Sequence, residues 1–139
     1  MKSVIILFFG FILILIQSCS DPLGTESIYG EYNYTGFDSI GVKISQGTLT
    51  ISISDSSMVD GNWAILPVGN NIEIGPQIGD GQLTGFIKND SIFISLNPDI
   101  VDNNIQLSGI FLNGEISGKW VWSTFVGITN HGFFTAKKR

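Results

Sequence analysis

The stretch NIQLSGIFLNGEISGKWVWSTF, residues 104–125, decides the fold. Asn113-Gly114 sits at its centre, and an Asn-Gly pair is the strongest two-residue hairpin signal because both turn positions take positive φ. Folding the stretch there pairs Leu112 with Glu115 and sets Ile105, Leu107, Gly109 and Phe111 opposite Trp122, Trp120, Gly118 and Ile116. One face is then apolar or glycine. The other carries Gln106, Ser108, Ser117, Lys119 and Ser123. Register and hydrophobic face agree, as a half-buried antiparallel pair requires.

The same folding test works upstream. Asn89-Asp90 joins Leu83–Lys88 to Ser91–Leu96, with Leu83, Gly85 and Ile87 facing Leu96, Ile94 and Ile92. This puts Phe86 opposite Phe93 on the outer face, either as an exposed contact patch or beneath a loop. A loop near Asp55–Ser57 sets Leu49, Ile51 and Ile53 opposite Trp63, Gly61 and Val59. Gly69-Asn70 folds Ile65 and Pro67 onto Ile74 and Ile72. An opening strand over Ile28–Thr35 puts Tyr32 and Tyr34 on one face, and a closing strand covers about His131–Lys137. After Ser27 no stretch has helical periodicity. The chain therefore reads as all-β, an antiparallel up-and-down meander of eight or nine strands that closes into a barrel and so removes its edges. Strict closure needs an even number of strands, and Asn71–Gly75 is the shortest.

A large apolar residue follows glycine two positions later in six strands, at Gly30–Tyr32, Gly61–Trp63, Gly85–Ile87, Gly109–Phe111, Gly118–Trp120 and Gly132–Phe134. All six glycines fall on the inner face. They serve close packing where a small barrel bends, or they line a ligand passage. The inner aromatics Tyr32, Tyr34, Trp63, Trp120 and Trp122 are the candidate ligand-binding residues. They are equally suited to filling a core. An eight-stranded barrel is just wide enough to be filled by side chains or to hold one small ligand.

Residues 1–18 read as an export signal. Lys2 is the only charge before Asp21, and Val4–Ile16 is an unbroken run of thirteen apolar residues. About 20 are needed to cross a bilayer, whereas thirteen suits a signal peptide. The run ends at Ile16-Gln17-Ser18-Cys19, with a small residue before the only cysteine. This resembles the lipobox of bacterial lipoproteins, which implies that Cys19 becomes the first mature residue and carries the lipid. A signal cut elsewhere and an uncleaved anchor helix are the alternatives. Residues 19–27 form the lipidated Cys and a polar tether containing Pro22 and Gly24, and 28–139 the barrel domain. The resemblance implies a bacterial cell-envelope protein, and Ser20 after the Cys, where enteric lipoproteins held at the inner membrane carry Asp, favours the outer membrane.

The 139 residues suit one domain. With 7 Lys+Arg against 12 Asp+Glu the net charge is -5 and no basic stripe appears, which excludes a phosphate-seeking nucleic-acid binder. One Cys excludes a disulfide scaffold. Hydrophobic content of 43% with 14% charged residues excludes disorder. Lys137-Lys138-Arg139 ends the chain as a solvated tail or a contact for anionic lipid.

Chemistry finds little support. His131 is the only histidine, and His-based metal sites need more ligands. A triad would have to join it to Ser123 or another strand serine, and no nucleophile elbow surrounds any candidate. Asp99, Asp102, Asn103 and Asn104 cluster in one loop, without EF-hand spacing, and suit turn chemistry better than calcium. Gly79-Asp80-Gly81 reads as a flexible loop and lacks the strand–helix context of a phosphate cradle.

In architecture the chain resembles small β-barrel lipoproteins of the lipocalin-like and avidin-like kind. The resemblance rests on Gly30-Glu31-Tyr32, Leu96-Asn97-Pro98, Asp102-Asn103-Asn104, Gly118-Lys119-Trp120 and Gly132-Phe133-Phe134. The expected function is that of a non-enzymatic, cofactor-free, lipid-anchored envelope protein. It would meet an envelope protein partner through Phe86, Phe93, Leu66 and Val121, or else bind a small apolar ligand inside the barrel.

Overall fold

A computed structural model describes residues 27–53, 57–69 and 75–139. Cys19, the export signal and most of the tether lie outside the described residues. Eight strands form one closed barrel in sequential order: β1 (Gly30–Asp38), β2 (Lys43–Ile53), β3 (Met58–Pro67), β4 (Gly79–Lys88), β5 (Ser91–Ser95), β6 (Asn103–Leu112), β7 (Glu115–Thr124) and β8 (Gly127–Lys138). All neighbours are antiparallel, and β1 closes on β8 with Tyr34 opposite Ala136. The all-β meander read from the sequence is the fold.

The hairpin registers hold residue by residue. Ile105, Leu107, Gly109 and Phe111 face Trp122, Trp120, Gly118 and Ile116. Leu49, Ile51 and Ile53 face Trp63, Gly61 and Val59, and Phe86 faces Phe93. Asn113 and Gly114 take φ of 51° and 74°, as their hairpin turn demands.

Of the eight or nine strands expected, the barrel has eight, the even number that strict closure needs. Four other expectations are corrected, the first being the pairing of Ile65 with Ile74. Residues 70–74 lie outside the described part, and Gly75 belongs to a single 3-10 turn, Gly75–Gln77. Ile65 pairs with Gly79 instead of Ile74. An alternation only five residues long specifies register weakly. Second, Gly79-Asp80-Gly81 is not a loop but the start of β4. Gly81 lies opposite Trp63, and a Cβ there would stand 3.1 Å from the indole nitrogen, so the missing side chain makes room for the ring. Third, the opening strand runs later than expected, Gly30–Asp38 in place of Ile28–Thr35. Fourth, the closing strand starts earlier, at Gly127, and puts His131 mid-strand.

The inward glycines explain how so small a barrel closes. A Cβ on Gly61 would stand 1.8 Å from the Thr50 carbonyl oxygen, and one on Gly118 would stand 2.0 Å from that of Ser108. Neither is in the left-handed region. The demand is for close approach of the neighbouring backbone, which sharpens the coiling of the sheet. The packing reading of the repeat is the one that fits.

The wall is apolar inside and mixed outside, where polar residues predominate on β2 and the first half of β6 while Phe86, Phe93, Ile110 and Phe133 are exposed. Thr48, Thr50, Asn62, Gln82, Gln106 and Ser108 face outward, alternating with the buried Leu49, Ile51, Trp63, Leu83, Ile105 and Leu107. Barrels that span membranes carry the reverse pattern. Among the described residues no helix is long and apolar enough to cross a membrane.

Candidate functional site

Meander order puts the connections alternately at the two ends. At one, the terminal end, the chain enters β1 and leaves β8. At the other, the far end, lie the connections β1–β2, β3–β4, β5–β6 and β7–β8.

The five candidate ligand-binding aromatics do face inward. Tyr32, Tyr34 and Trp120 are 0%, 1% and 0% exposed. Trp63 is also buried, and Trp122 is half-buried near the far end. Every polar handle is spent within the chain. The Tyr32 hydroxyl donates to the Ile28 carbonyl, and Trp63 Nε1 donates to the Leu96 carbonyl. Trp120 Nε1 donates to the Phe37 carbonyl at 2.7 Å. Trp122 Nε1 donates to Asn103 Oδ1 at 2.7 Å. The Tyr34 hydroxyl donates to Gln77 Oε1 at 3.2 Å, and its ring stacks on Phe134 with centroids 5.9 Å apart.

Gln77 is the residue that sequence reasoning missed. It is fully buried, and its Oε1 also accepts from Ser45 Oγ at 3.3 Å. The Gly75–Gln77 turn thus plugs the far end. Gly75 is required twice, by its φ of 70° and because a Cβ would lie 2.6 Å from the Trp122 ring. Asn97 Nδ2 donates to the Pro76 carbonyl at 3.2 Å and ties the plug to the β5–β6 connection. Local sequence gave no signal of this, because a glutamine in a polar connection looks solvated.

Burial holds the Tyr34 hydroxyl well above its ordinary value, against a smaller opposing effect of the Ser45 hydroxyl. The neutral form is therefore the one the fold favours. Stability from this group is complete below the unfolded tyrosine value, about 10, and is lost as pH rises beyond it toward the raised folded value. A Tyr34→Phe variant is expected to lose part of the alkaline destabilisation above about pH 10, read as a smaller fall in denaturant midpoint between pH 9 and 11.

On the outer wall Phe86 and Phe93 stack with centroids 4.8 Å apart and planes at 18°. They are 46% and 37% exposed and Met58 beside them 47%, so no described loop covers them. With Thr84, Ser95 and Gln106 they line a groove of about 460 Å³. Val121 borders it through its pairing with Gln106. Leu66 does not join this patch, since its place on β3 lies toward the far end.

The catalytic and calcium alternatives do not assemble. His131 is exposed on the outer wall opposite Val121, while Ser123 pairs with Ile128. Asn104 Oδ1 accepts from the Asn97 amide at 3.0 Å, and its Nδ2 donates to Ser95 Oγ at 2.6 Å. With Asn103 held by Trp122, the amides of that loop serve its own structure. Among the described residues no group of three or more His, Cys, Asp or Glu is placed to hold a metal.

No family model and no curated protein matches this chain. Solved structures do. The redesigned β-barrel mFAP1, solved bound to DFHBI, superposes with a TM-score of 0.53 at 14% identity, over 79% of this chain and 94% of that one. EF1p2_mFAP2b bound to DFHBI gives 0.52 at 13% identity, over 80% and 93%. A rhizavidin–biotin complex gives 0.49 at 18% identity, over 80% and 94%. At these identities the first two likenesses establish the small-barrel fold and nothing finer.

Proposed function

We propose that this chain is a lipid-anchored protein of the bacterial envelope, at the outer membrane, whose barrel works without chemistry, through protein contacts on its outside. One observation carries the reading. All five inward aromatics are hydrogen-bonded within the chain, and Tyr32, Tyr34 and Trp120 are fully buried. Among the described residues such an interior leaves no buried side-chain polar atom unpaired to orient a guest. The exposed Phe86–Phe93 pair offers the contact surface that the interior does not.

The anchor is supported by the sequence and by the wall. A barrel with Thr, Ser, Asn and Gln outside cannot lie in hydrocarbon, so attachment falls to Cys19 and the segment before it. Two or three acyl chains, as the lipobox resemblance implies, give stable binding where one gives only marginal binding. Expressed in a lipoprotein-processing bacterium, the wild-type chain is expected to take up labelled palmitate and to sediment with the outer membrane. Cys19→Ser is expected to lose the label entirely and to be retained only as an unprocessed precursor or released. Equal label and equal sedimentation for the two chains would overturn the anchor.

A second reading, binding of a small apolar ligand, has its own support. The mFAP1 barrel was solved with a small molecule bound, and here Tyr34, Ser45 and Gln77 form a buried polar trio beneath the Gly75–Gln77 turn. A guest would have to displace that turn.

A further inference from the structure

We infer that the far end of the barrel is a docking crown for a second envelope protein that presents an apolar surface rimmed by lysine and arginine; this rests on the reading of the barrel as a protein-contact module. Topology gathers there Ile40, Leu66, Val101, Phe125, Val126 and Ile128, each at least 66% exposed. Exposed apolar residues scattered singly need no explanation, but six this exposed at one end of a small barrel do.

Turn chemistry does not account for the tip. The other two-residue turns use Asn89-Asp90 and Asn113-Gly114, residues that suit such geometry. The β7–β8 turn is made by Phe125-Val126, which are 87% and 88% exposed. The positive φ of this turn falls on Gly127, at 105°, so the backbone tolerates Phe125 and Val126. Yet large apolar side chains this exposed bury nothing for the fold and suit a contact surface. Two of the loops are also held in place. Asp38 Oδ1 accepts from the Ile40 and Val42 amides at 3.0 and 2.8 Å, and the Ile100 amide donates to the Asn97 carbonyl at 3.0 Å. A preordered tip loses little entropy on docking.

Charge selects the occupant. Asp38, Asp80, Asp99 and Asp102 surround the crown, with Lys43 the one cation among the described residues near it. None of these aspartates is salt-bridged to a described residue. Lys88, Lys137, Lys138 and Arg139 lie at the terminal end. An acidic rim repels an anionic bilayer and a second copy of the same crown, and attracts a basic rim. Anchoring through Cys19 also leaves the far end about 25 Å from the terminal end, as tilted strands of this length give.

The test places a photoreactive phenylalanine analogue in the full-length chain, in its own membrane, at Phe125, Val101, Phe86 or Thr50. Phe125 and Val101 are expected to give one discrete heteroprotein adduct, at least about ten-fold above Thr50 on the outer wall. The crosslink should map to an apolar surface flanked by Lys or Arg. Its yield should fall at least about three-fold in D99N/D102N. A Phe125→Ser/Val126→Asn variant, made of residues that turns accept, should keep the melting temperature and abolish the Val101 adduct. An adduct of twice the chain's own mass, a lipid adduct, a partner surface without basic residues, or no excess over Thr50 would each overturn the crown. An adduct from Phe86 alone would do so too, while leaving the protein-contact reading standing.

Discussion

Gly61→Ala is expected to cost about 3 kcal/mol or more, lowering the melting temperature by roughly 10–20 °C. An alanine at an ordinary strand glycine gains a few tenths to about 1 kcal/mol, because it restricts the unfolded chain. The sign inverts here because the added carbon would sit 1.8 Å from the Thr50 carbonyl oxygen. That neighbour is backbone, so relief requires β2 and β3 to separate. Gly41 is the control: its φ of 87° strains any side chain, but nothing stands within 4 Å. Gly41→Ala should cost about 1–2 kcal/mol. If it proved the more damaging of the two in denaturant unfolding, close backbone approach would not be what the inner glycines provide.

Trp120→Ala is expected to cost about 3–5 kcal/mol. The indole is fully buried at the middle of β7 and passes over Gly132 of β8 to donate to the Phe37 carbonyl on β1. Its removal therefore leaves both a void and an acceptor without its donor. Trp122→Ala, half-buried with an exposed hydrogen bond to Asn103, should cost under about 2 kcal/mol. Equal losses would mean that the middle of the barrel is no better filled than its rim.

The hairpins were legible because alternation and turn chemistry point to the same register. Asn113-Gly114 alone aligns ten residue pairs of β6 and β7. The start of β4 was not legible, since Gly79 and Gly81 carry no hydropathy to alternate. The plug was hidden for a different reason. Gln77 is buried by Tyr34 and Ser45, which lie 43 and 32 positions away in sequence, and no local pattern encodes such a contact. Alternation puts the five aromatics on the inner face, but it cannot separate a core from a binding site. That distinction lives in where each indole and phenol hydrogen goes. Register alone places Phe86 and Phe93 face to face, and their exposure follows from the absence of any described loop over that stretch of wall.

The central claim is that the barrel is filled by its own side chains and works from its outer surface. Its most direct test is NMR of the full-length protein in detergent micelles, following the indole N–H signals of Trp63 and Trp120 while laurate is added. The account predicts two slowly exchanging signals whose shifts do not saturate with laurate. A saturable shift of both, with faster exchange of the Trp63 N–H as the Gly75–Gln77 turn is displaced, would contradict it and establish the interior as a ligand site.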